Sequence, residues 1–449
     1  MPNSRRGFLK VLGTAGLGLT YGGLGRAAEK TAAGLAQQFN MCGYRAKPLE
    51  TVRVAVIGLG NRGGSAVPRL AHVDGGEIVA RCDVRPELIE RARAKLPAAA
   101  REKARGYGTD ENAWRAVCEE SDADLVYICT PWDLHVPMAL SAMEHGKHVA
   151  VEIPAATTVE DCWRLVETSE RTRRHCMMLE NCCYDFFELL TLKMAREGFF
   201  GEIIHGEGAY IHDLLALNFS RTKYHAMWRL RENLRNGNLY PTHGLGPICQ
   251  IMNINRGDQM DFLVSVSTDD FHMRAEAERL AQTDPFFVPY SSNNYRGNMN
   301  TSTIRTHRGR TIMLQHDVSS PRPYTRLHVI SGTRAMAQKW PSPHIAVGHE
   351  WATPEEFKRI EEQYTPELVR TMGETARRVG GHGGMDFLMD WRLIDSLRRG
   401  LPLDQDVYDA ALWSVVGPLS EWSVANGSQP IEVPDFTRGA WRKNAPLEV

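Results

Sequence analysis

The segment VRVAVIGLGNRG, residues 52–63, holds the clearest structural signal in the chain. Its first half is a short β-branched and apolar run, which is typical of a buried strand. In its second half, the G-x-G-x-x-G spacing lets Gly58 make a tight turn, Gly60 admit a pyrophosphate close to the backbone, and Gly63 pack closely against a helix. The N-terminus of that helix would offer free N–H groups to the phosphates. The segment therefore predicts a strand, a turn and a helix that bind a dinucleotide.

A second strand supports this interpretation. GEIVARCD, residues 76–83, predicts a strand that ends at Asp83, about 20 residues after the turn, where dinucleotide-binding folds have an acidic residue. A carboxylate there accepts hydrogen bonds from the ribose hydroxyls and repels a 2′-phosphate, so NAD is favoured over NADP; Arg85 weakens that preference a little. A glycine turn in a domain that binds no nucleotide is the alternative.

Segments that favour helices and strands alternate from this point to about residue 177. The expected helices lie at 86–105, 134–144 and 158–173, and the expected strands lie at 122–131 and 147–154. Strands that alternate with helices at this spacing form βαβ units and a parallel sheet. The sequence thus predicts an α/β fold with an N-terminal Rossmann domain, residues 51–177.

The pattern changes in residues 178–449. IIHGEGAYIHD, residues 203–213, alternates as a strand does, and several strand-like runs follow between 260 and 335. THRGRT predicts a hairpin around Gly309, and the polar stretch from 351 to 378 predicts exposed helix. Runs of strands without helices between them favour an antiparallel sheet. We expect a C-terminal, substrate-binding α+β domain with a mostly antiparallel open sheet, whose exposed face would suit a homo-oligomer.

Composition and charge restrict the partners. The chain has 449 residues, of which 43% are apolar and 24% are charged, as in an ordinary soluble protein of two domains. Because the formal net charge is -1 and no block of like charges occurs, nucleic acid and anionic membranes are poor candidates. No ligand spacing such as H-E-x-x-H is present, so we expect no metal. The nine cysteines form no C-x-x-C pair, which argues against a disulfide framework.

The N-terminus resembles a twin-arginine export signal. SRRGFLK, residues 4–10, places two arginines before an uncharged apolar run at 11–24 that is rich in glycine and short for a membrane span. Residues 1–28 are thus expected to be a signal peptide for the twin-arginine export machinery, followed by a linker or arm at 29–50. An uncleaved anchor or a chance basic start is the alternative. We expect a periplasmic or extracellular protein that folds around its dinucleotide before export and has no membrane span in its mature form.

The residues from 52 onward resemble the Gfo/Idh/MocA oxidoreductase superfamily, in VRVAVIGLGNRG, ICTPWDLH (128–135) and VEIPAA (151–156). More narrowly, they resemble glycosyl hydrolase family 109. The motifs that carry this resemblance are MLENCCY (178–184), YPTHGLGP (240–247), NINRG (253–257), SSPRPY (319–324) and GHGGMDF (381–387). The similarity covers nearly all of the mature chain.

Two positions depart from the wider superfamily. Its sugar dehydrogenases usually have Glu-Lys-Pro where this chain has Glu152-Ile153-Pro154, and isoleucine cannot carry the proton that the lysine handles beside the nicotinamide. The later Asp-x-x-x-His element keeps its histidine, His243, but has Leu239 in place of the acid. Both departures argue against an ordinary alcohol dehydrogenase and fit family 109.

The resemblance implies an NAD-dependent glycosidase that hydrolyses terminal α-linked N-acetylgalactosamine, or a related sugar, without net redox change. Such a reaction would oxidise the sugar at C3, remove the C2 proton, expel the glycosidic oxygen from C1, add water and reduce C3 again. The flanking carboxylates of ordinary glycosidases are then unnecessary. A net NAD-dependent sugar dehydrogenase and a non-catalytic sugar-binding protein that keeps NAD for its fold are the alternatives.

The resemblance also implies the site residues. Those expected to line the cofactor, besides the glycine turn and Asp83, are Asn61, Arg62, Trp132, Asp133, Leu134, His135, Glu152, Ile153 and Asn181. Those expected to bind the sugar are Tyr210, Arg229, Tyr240, Pro241, Thr242, His243 and Tyr324. His243 is expected to transfer the proton because histidine titrates near neutral pH, and Tyr240 to orient the substrate or share that duty. Structural roles are the alternatives: a core position for Tyr210, a surface ion pair for Arg229 and a turn for Asn181.

Overall fold

The structure is a computed structural model that describes residues 36–108 and 110–448. The expected signal peptide, residues 1–28, and the first part of the expected arm lie outside the described residues. Residues 37–449 belong to one compact unit. Its described helices are all too short or too polar to cross a bilayer.

Within the described residues, the first sheet has six parallel strands in the order β3-β2-β1-β4-β5-β6. Its strands are Val52–Ile57 (β1), Gly76–Asp83 (β2), Arg105–Gly108 (β3), Leu125–Ile128 (β4), His148–Val151 (β5) and Cys176–Met178 (β6). The helices between them are Asn61–Leu70 (α1), Pro86–Ala94 (α2), Ala98–Lys103 (α3), Ala113–Glu120 (α4), His135–Glu144 (α5) and Val159–Thr172 (α6). The strand order reverses between β1 and β4, where α/β sheets bind ligands at the carboxyl ends of the strands. The expected Rossmann domain is confirmed.

Two local features of this half differ from the expectation. The helix expected over 86–105 is divided into α2 and α3, because Pro97 lacks the N–H that a continuous helix needs. The expected boundary between residues 177 and 178 falls inside β6, which pairs with β5. The run CMM therefore belongs to the first sheet.

In the part of the chain that the structure describes, the second sheet has nine strands in the order β14-β13-β12-β11-β7-β10-β9-β8-β15. All neighbours pair antiparallel except β7 and β10. Its strands are Ile203–Ile211 (β7), Met260–Ser267 (β8), Asn300–Thr306 (β9), Thr311–Asp317 (β10), Thr325–Gly332 (β11), Ala335–Gln338 (β12), His344–Val347 (β13), Glu350–Trp351 (β14) and Ile431–Glu432 (β15). Gly309, with φ +81°, lies in the expected turn between β9 and β10. The expected mostly antiparallel sheet is confirmed.

The helices of this half cover the sheet and form an insertion beside it. They are Phe186–Arg196 (α7), Leu215–Asn218 (α8), Trp228–Glu232 (α9), Thr242–Ile251 (α10), Met273–Ala281 (α11), Pro354–Tyr364 (α12), Glu367–Val379 (α13), Met385–Arg399 (α14) and Val407–Ala425 (α15). Helix α10 packs on β7 and α15 packs on β8. Helix α11 interrupts the strands expected over 260–335, whereas the polar stretch 351–378 forms the largely exposed α12 and α13, as predicted.

The described part of the expected arm packs on the folded unit. Met41 is buried, and its N–H donates to the Tyr408 hydroxyl of α15 at 3.2 Å. The Gln37 side chain donates to the same hydroxyl at 2.8 Å, and the Gln38 N–H donates to Glu170 of α6 at 3.0 Å. The arm therefore ties α15 to α6 and does not act as a free linker.

The NINRG motif has a structural role that we can test. Arg256 donates to Asp406 at 2.8 Å and to Asp409 at 2.7 Å, and all three side chains are buried. We expect Arg256→Met to lower the free energy of unfolding by about 3–5 kcal/mol, because two buried carboxylates lose their cation. Chemical denaturation measures this. Arg308→Met is the control, because Arg308 is exposed and its replacement should change the free energy of unfolding by less than about 0.5 kcal/mol. Equal losses in both variants would contradict this role.

Candidate active site

The glycine turn after β1 has the geometry that its spacing predicts. Gly58 has φ +85°, and a Cβ there would lie 2.6 Å from the carbonyl oxygen of Cys129, which directly follows the neighbouring strand β4. A Cβ on Gly63 would collide with the carbonyl oxygen of Gly58. At Gly60, in contrast, the nearest atom that a Cβ would meet is Nη2 of Arg85, at 3.4 Å. Two of the glycines thus allow close packing of the protein, and the third leaves its outer side open, as a pyrophosphate requires.

The groups around this turn fit a dinucleotide. Helix α1 begins at Asn61 with no side-chain cap and no acidic residue in its first turn among the described residues, so its N–H groups are free for phosphate. Asp83 accepts the Leu59 N–H at 2.7 Å and the Arg85 N–H at 2.9 Å, and it thereby holds the turn in place. Its Oδ1 also accepts from Nε of Arg85 at 3.3 Å, whereas Oδ2 keeps a second lone pair for a ribose hydroxyl. Selection of NAD over NADP by Asp83 stays a prediction.

The residues expected at the cofactor from the loop after β4 include both exposed and buried side chains. Residues Trp132–Leu134 form a single helical turn, in which Asp133 and Leu134 are exposed. His135 is fully buried, with Nδ1 2.8 Å from the Pro154 carbonyl oxygen and Nε2 2.9 Å from that of Thr130. The ring thus lies between two backbone loops, and burial lowers its pKa while the two carbonyl groups oppose that shift. His135 therefore supports the shape of this loop, and its contact with the cofactor stays a prediction.

Arg62 connects the expected cofactor residues. Its guanidinium lies 2.7 Å from Glu152 and 3.2 Å from Asp386, and the Asn181 amide donates to the other oxygen of Asp386 at 2.6 Å. Burial alone would lower the pKa of Arg62, but the two carboxylates outweigh burial and hold that pKa well above its ordinary value. Asp386, in the GHGGMDF motif, is a site residue that the sequence reasoning missed. Ile153, beside Glu152, is buried and apolar.

A close contact between two glycines brings the sugar-side residues together. A Cβ on Gly208 of β7 would lie 2.6 Å from the carbonyl carbon of Gly244, and a Cβ on Gly244 of α10 would lie 2.7 Å from that of Gly208. Helix α10 therefore rests directly on the strand. Its first turn places the centre of the His243 ring 5.4 Å from that of the Tyr210 ring, which belongs to β7.

The aromatic rings of this region form one continuous cluster. The ring of Tyr240 lies 4.4 Å from that of Tyr210, 5.0 Å from that of His243 and 5.9 Å from that of Trp132, measured between centres. The Tyr324 ring lies 6.2 Å from the Tyr210 ring. The structure thus brings Trp132, a cofactor-side residue, against residues expected at the sugar. Aromatic faces and hydroxyl groups of this kind suit a sugar ring.

The remaining expected sugar residues support this cluster. The guanidinium of Arg229 lies 5.1 Å from the Tyr240 ring centre and donates to the Tyr224 hydroxyl at 3.1 Å. Arg229 therefore makes cation–π contacts in the interior, in contrast to the alternative of a surface ion pair. Pro241 and Thr242 are buried at the start of α10, where they position the residue that follows.

His243 is held by a carboxylate that the sequence reasoning missed. Its Nδ1 lies 2.8 Å from Oε1 of Glu180, which is fully buried and also accepts the Cys182 N–H at 3.0 Å. Burial alone would raise the pKa of Glu180, but the facing His243 ring and its hydrogen bond outweigh burial and lower that pKa. Glu180 lies in the MLENCCY motif just after β6, and an acidic residue at a strand end was the available signal.

This arrangement assigns a base and several donors. An ionised Glu180 accepts a hydrogen bond from Nδ1–H of His243, which leaves Nε2 unprotonated and able to take a proton. Burial raises the pKa of the Tyr240 phenol well above its ordinary value and raises that of Tyr210 as well. Both phenols therefore stay neutral and can donate hydrogen bonds to sugar oxygens, which favours orientation as the role of Tyr240.

Three side chains of the kinds that bind metal ions lie close together beside the aromatic cluster. Single ligand atoms of Glu180, Cys182 and His243 lie within 4.8 Å of one another. Burial raises the pKa of the Cys182 thiol well above its ordinary value, although the Arg326 guanidinium, 3.1 Å from its sulfur, opposes this. A neutral thiol beside a guanidinium is a poor environment for a metal cation. The expectation of no metal stays a prediction.

Two family models match the chain. An oxidoreductase family with an NAD-binding Rossmann fold matches residues 52–180, and the C-terminal domain of glycosyl hydrolase 109 matches residues 184–443. The cofactor of the glycine turn is therefore NAD.

Relatives and solved structures agree with these matches. An alpha-N-acetylgalactosaminidase of Bacteroides fragilis is 50% identical over 414 residues, which cover 90% of this chain and 96% of that protein. A glycosyl hydrolase family 109 protein of Solibacter usitatus is 44% identical over 449 residues, 99% of each chain. Levoglucosan dehydrogenase in complex with NADH shares the fold, with a TM-score of 0.62 and 17% identity over 86% of this chain and 100% of that chain. From the family models and these identities, the chain belongs to glycosyl hydrolase family 109.

Proposed function

We propose that this protein is an NAD-dependent glycosidase that hydrolyses terminal α-linked N-acetylgalactosamine without net redox change. The observation that carries the proposal is the 50% identity, over 90% of the chain, with an alpha-N-acetylgalactosaminidase. The geometry agrees with it, since a His243–Glu180 pair adjoins an aromatic cluster and Ile153 occupies the position at which sugar dehydrogenases of the superfamily have a lysine.

The chain's own residues would act on the sugar as follows. NAD bound at the glycine turn would supply a hydride acceptor and, later in the same turnover, a hydride donor for C3. Nε2 of His243 would take the C2 proton and later return it, because Glu180 holds the imidazole by its other nitrogen. Tyr210 and Tyr240 would donate hydrogen bonds to sugar oxygens and orient the ring against the Trp132 side of the cluster.

A hydrolysis assay tests the proposal. We expect the purified protein to release nitrophenol from a nitrophenyl α-N-acetylgalactosaminide in many turnovers with no added NAD, because each turnover restores the cofactor. The matched β-anomer is the substrate control, and absorbance spectra of the protein as purified report the bound nicotinamide. Release that requires stoichiometric added NAD, or steady accumulation of reduced nicotinamide from the free sugar, would favour the net dehydrogenase. No release and no reduction would favour the sugar-binding alternative.

We also propose that the protein is exported by the twin-arginine route to the periplasm or beyond, with NAD already bound. The motif SRRGFLK and the uncharged run at 11–24 support this proposal. A redox-neutral reaction suits such a location, because it draws on no external nicotinamide pool. Fractionation of the native cells tests the location, and recovery of the protein with the soluble cytoplasm would contradict it.

The open face of the nine-stranded sheet supports a further proposal, that the protein forms a homo-oligomer. Apolar side chains such as Ile204 and Val266 are each at least half exposed on the sheet. Their burial against a second copy would remove apolar surface from water. The mass in solution, measured by light scattering, tests this, and a monomer at micromolar concentration would contradict it.

A further inference from the structure

A small cavity lies beside the aromatic cluster. Trp132, Tyr210 and Tyr240 form one side of it, and Asn218, the last residue of α8, lies in another part of its wall. The free volume is about 10 Å³ for the centre of a water-sized sphere, which is room for one group of the size of a water molecule or a methyl group. A sugar ring is too large for this space. Only the methyl-sized end of a ring substituent could enter it.

Asn218 differs from the other polar residues of the wall. Its side chain is fully buried, and within the described part of the chain neither its Oδ1 nor its Nδ2 has a hydrogen-bond partner. Glu232, in contrast, accepts from Arg235 at 3.1 Å, and Asn233 donates to the Arg229 carbonyl oxygen at 2.8 Å. A buried amide without partners is unfavourable, so this group is prepared for a ligand that supplies them.

The cavity also has an apolar wall. Leu214, Leu239 and Val318 are all buried there. A ligand group that satisfies both kinds of wall must combine an amide with a small apolar end. An acetamido group has these parts, namely a carbonyl oxygen, an N–H and a methyl group, whereas a hydroxyl group has neither the reach nor the methyl group.

We infer that Asn218 recognises the 2-acetamido group of the sugar, with the methyl group against Leu214, Leu239 and Val318. The inference rests on the proposed function, because the sugar is taken to lie against Tyr210 and Tyr240. Asn218 is then the residue by which the site distinguishes N-acetylgalactosamine from galactose.

The chain offers a matched control at Asn238. This asparagine is also fully buried, and its side-chain amide is also unpaired among the described residues, but it lies outside the cavity wall. Asn218→Leu and Asn238→Leu therefore remove the same chemical group from similar surroundings. Retained NAD in each purified variant reports that the site region is folded.

Calorimetric binding of free N-acetylgalactosamine and free galactose to the NAD-containing protein tests the inference. We expect Asn218→Leu to weaken the binding of N-acetylgalactosamine by about 10- to 100-fold and that of galactose by less than about 3-fold. Asn238→Leu should change neither affinity by more than about 3-fold. The inference is overturned if Asn218→Leu weakens both sugars equally, or keeps the preference, or if Asn238→Leu has the same effect.

A change of ligand gives a test that needs no variant. Because the cavity has room for one methyl-sized group, we expect N-propanoylgalactosamine to bind the wild-type protein at least about 10-fold more weakly than N-acetylgalactosamine. Equal affinities would overturn the inference even if the leucine variant did not fold. Failure of the proposed function is distinct from these outcomes, because it would appear as binding of N-acetylgalactosamine without release of nitrophenol by the wild-type protein.

Discussion

His243→Ala is expected to lower kcat by about 10²- to 10⁴-fold, the range of a general acid–base group. The reason is that the neutral phenols of Tyr210 and Tyr240 cannot replace Nε2 as a proton acceptor near neutral pH, since burial raises the pKa of both. Bound NAD should remain, because His243 lies in the aromatic cluster and not at the glycine turn. Steady-state hydrolysis and the absorbance spectrum of the variant check both statements.

His349→Ala is the control for this variant. The His349 side chain is 94% exposed, so its loss should leave kcat unchanged. If His243→Ala kept the wild-type turnover, another group would be the base and the assignment would be wrong. If it lost NAD as well as activity, the fall in kcat would have a structural cause.

Glu180→Leu is expected to lower kcat by about 10²- to 10³-fold, because the His243 ring loses the acceptor that fixes its tautomer and orientation. Glu180→Gln should lower kcat by only about 10-fold. The Cys182 N–H, 3.0 Å from Oε1, would keep the glutamine carbonyl oxygen in that place, where it can still accept from Nδ1 of His243. Conservative replacement therefore preserves the geometry and removes the charge.

The pH profile separates positioning from folding. The facing His243 ring lowers the pKa of Glu180, so the two groups are coupled, and removal of the carboxylate in Glu180→Gln should shift the acid limb of kcat/KM to lower pH than in the wild-type protein. Glu188→Gln is the matched control, because Glu188 is an equally buried glutamate that pairs with Arg326 and Lys339. Glu188→Gln should change stability and leave the acid limb in place. A common shift in both variants would contradict the positioning role of Glu180.

Local patterns in the sequence were sufficient for the architecture of the first half. The turn GLGNRG and the strands around it are dictated by contacts between neighbouring residues, such as Gly63 under the Gly58 carbonyl group. Alternation of strands and helices then implies a parallel sheet. The division of the helix at Pro97 is likewise a local effect, and the proline was visible in the sequence.

Motifs were sufficient to name most of the residues that meet at the site, but not their partners. Arg62 and Asp386 are 324 residues apart, and Glu180 and His243 are 63 residues apart, so no periodicity relates them. The burial of His135 between two loops could not be predicted either, because it depends on how those loops pack. Residue type alone could not separate a ring that faces a ligand from one that joins the backbone.

The amino-acid sequence established the Rossmann turn, the two kinds of sheet and the family, because each depends on short-range pattern or on motifs read one at a time. Only the folded chain established that Glu180 orients His243, that Asp386 joins Arg62 to Asn181, and that Asn218 lies in a cavity wall without a side-chain partner among the described residues. These are relations between side chains on separate elements. They arise when the sheet and helices pack and water is excluded, which is also the step that makes their charges and unpaired groups matter.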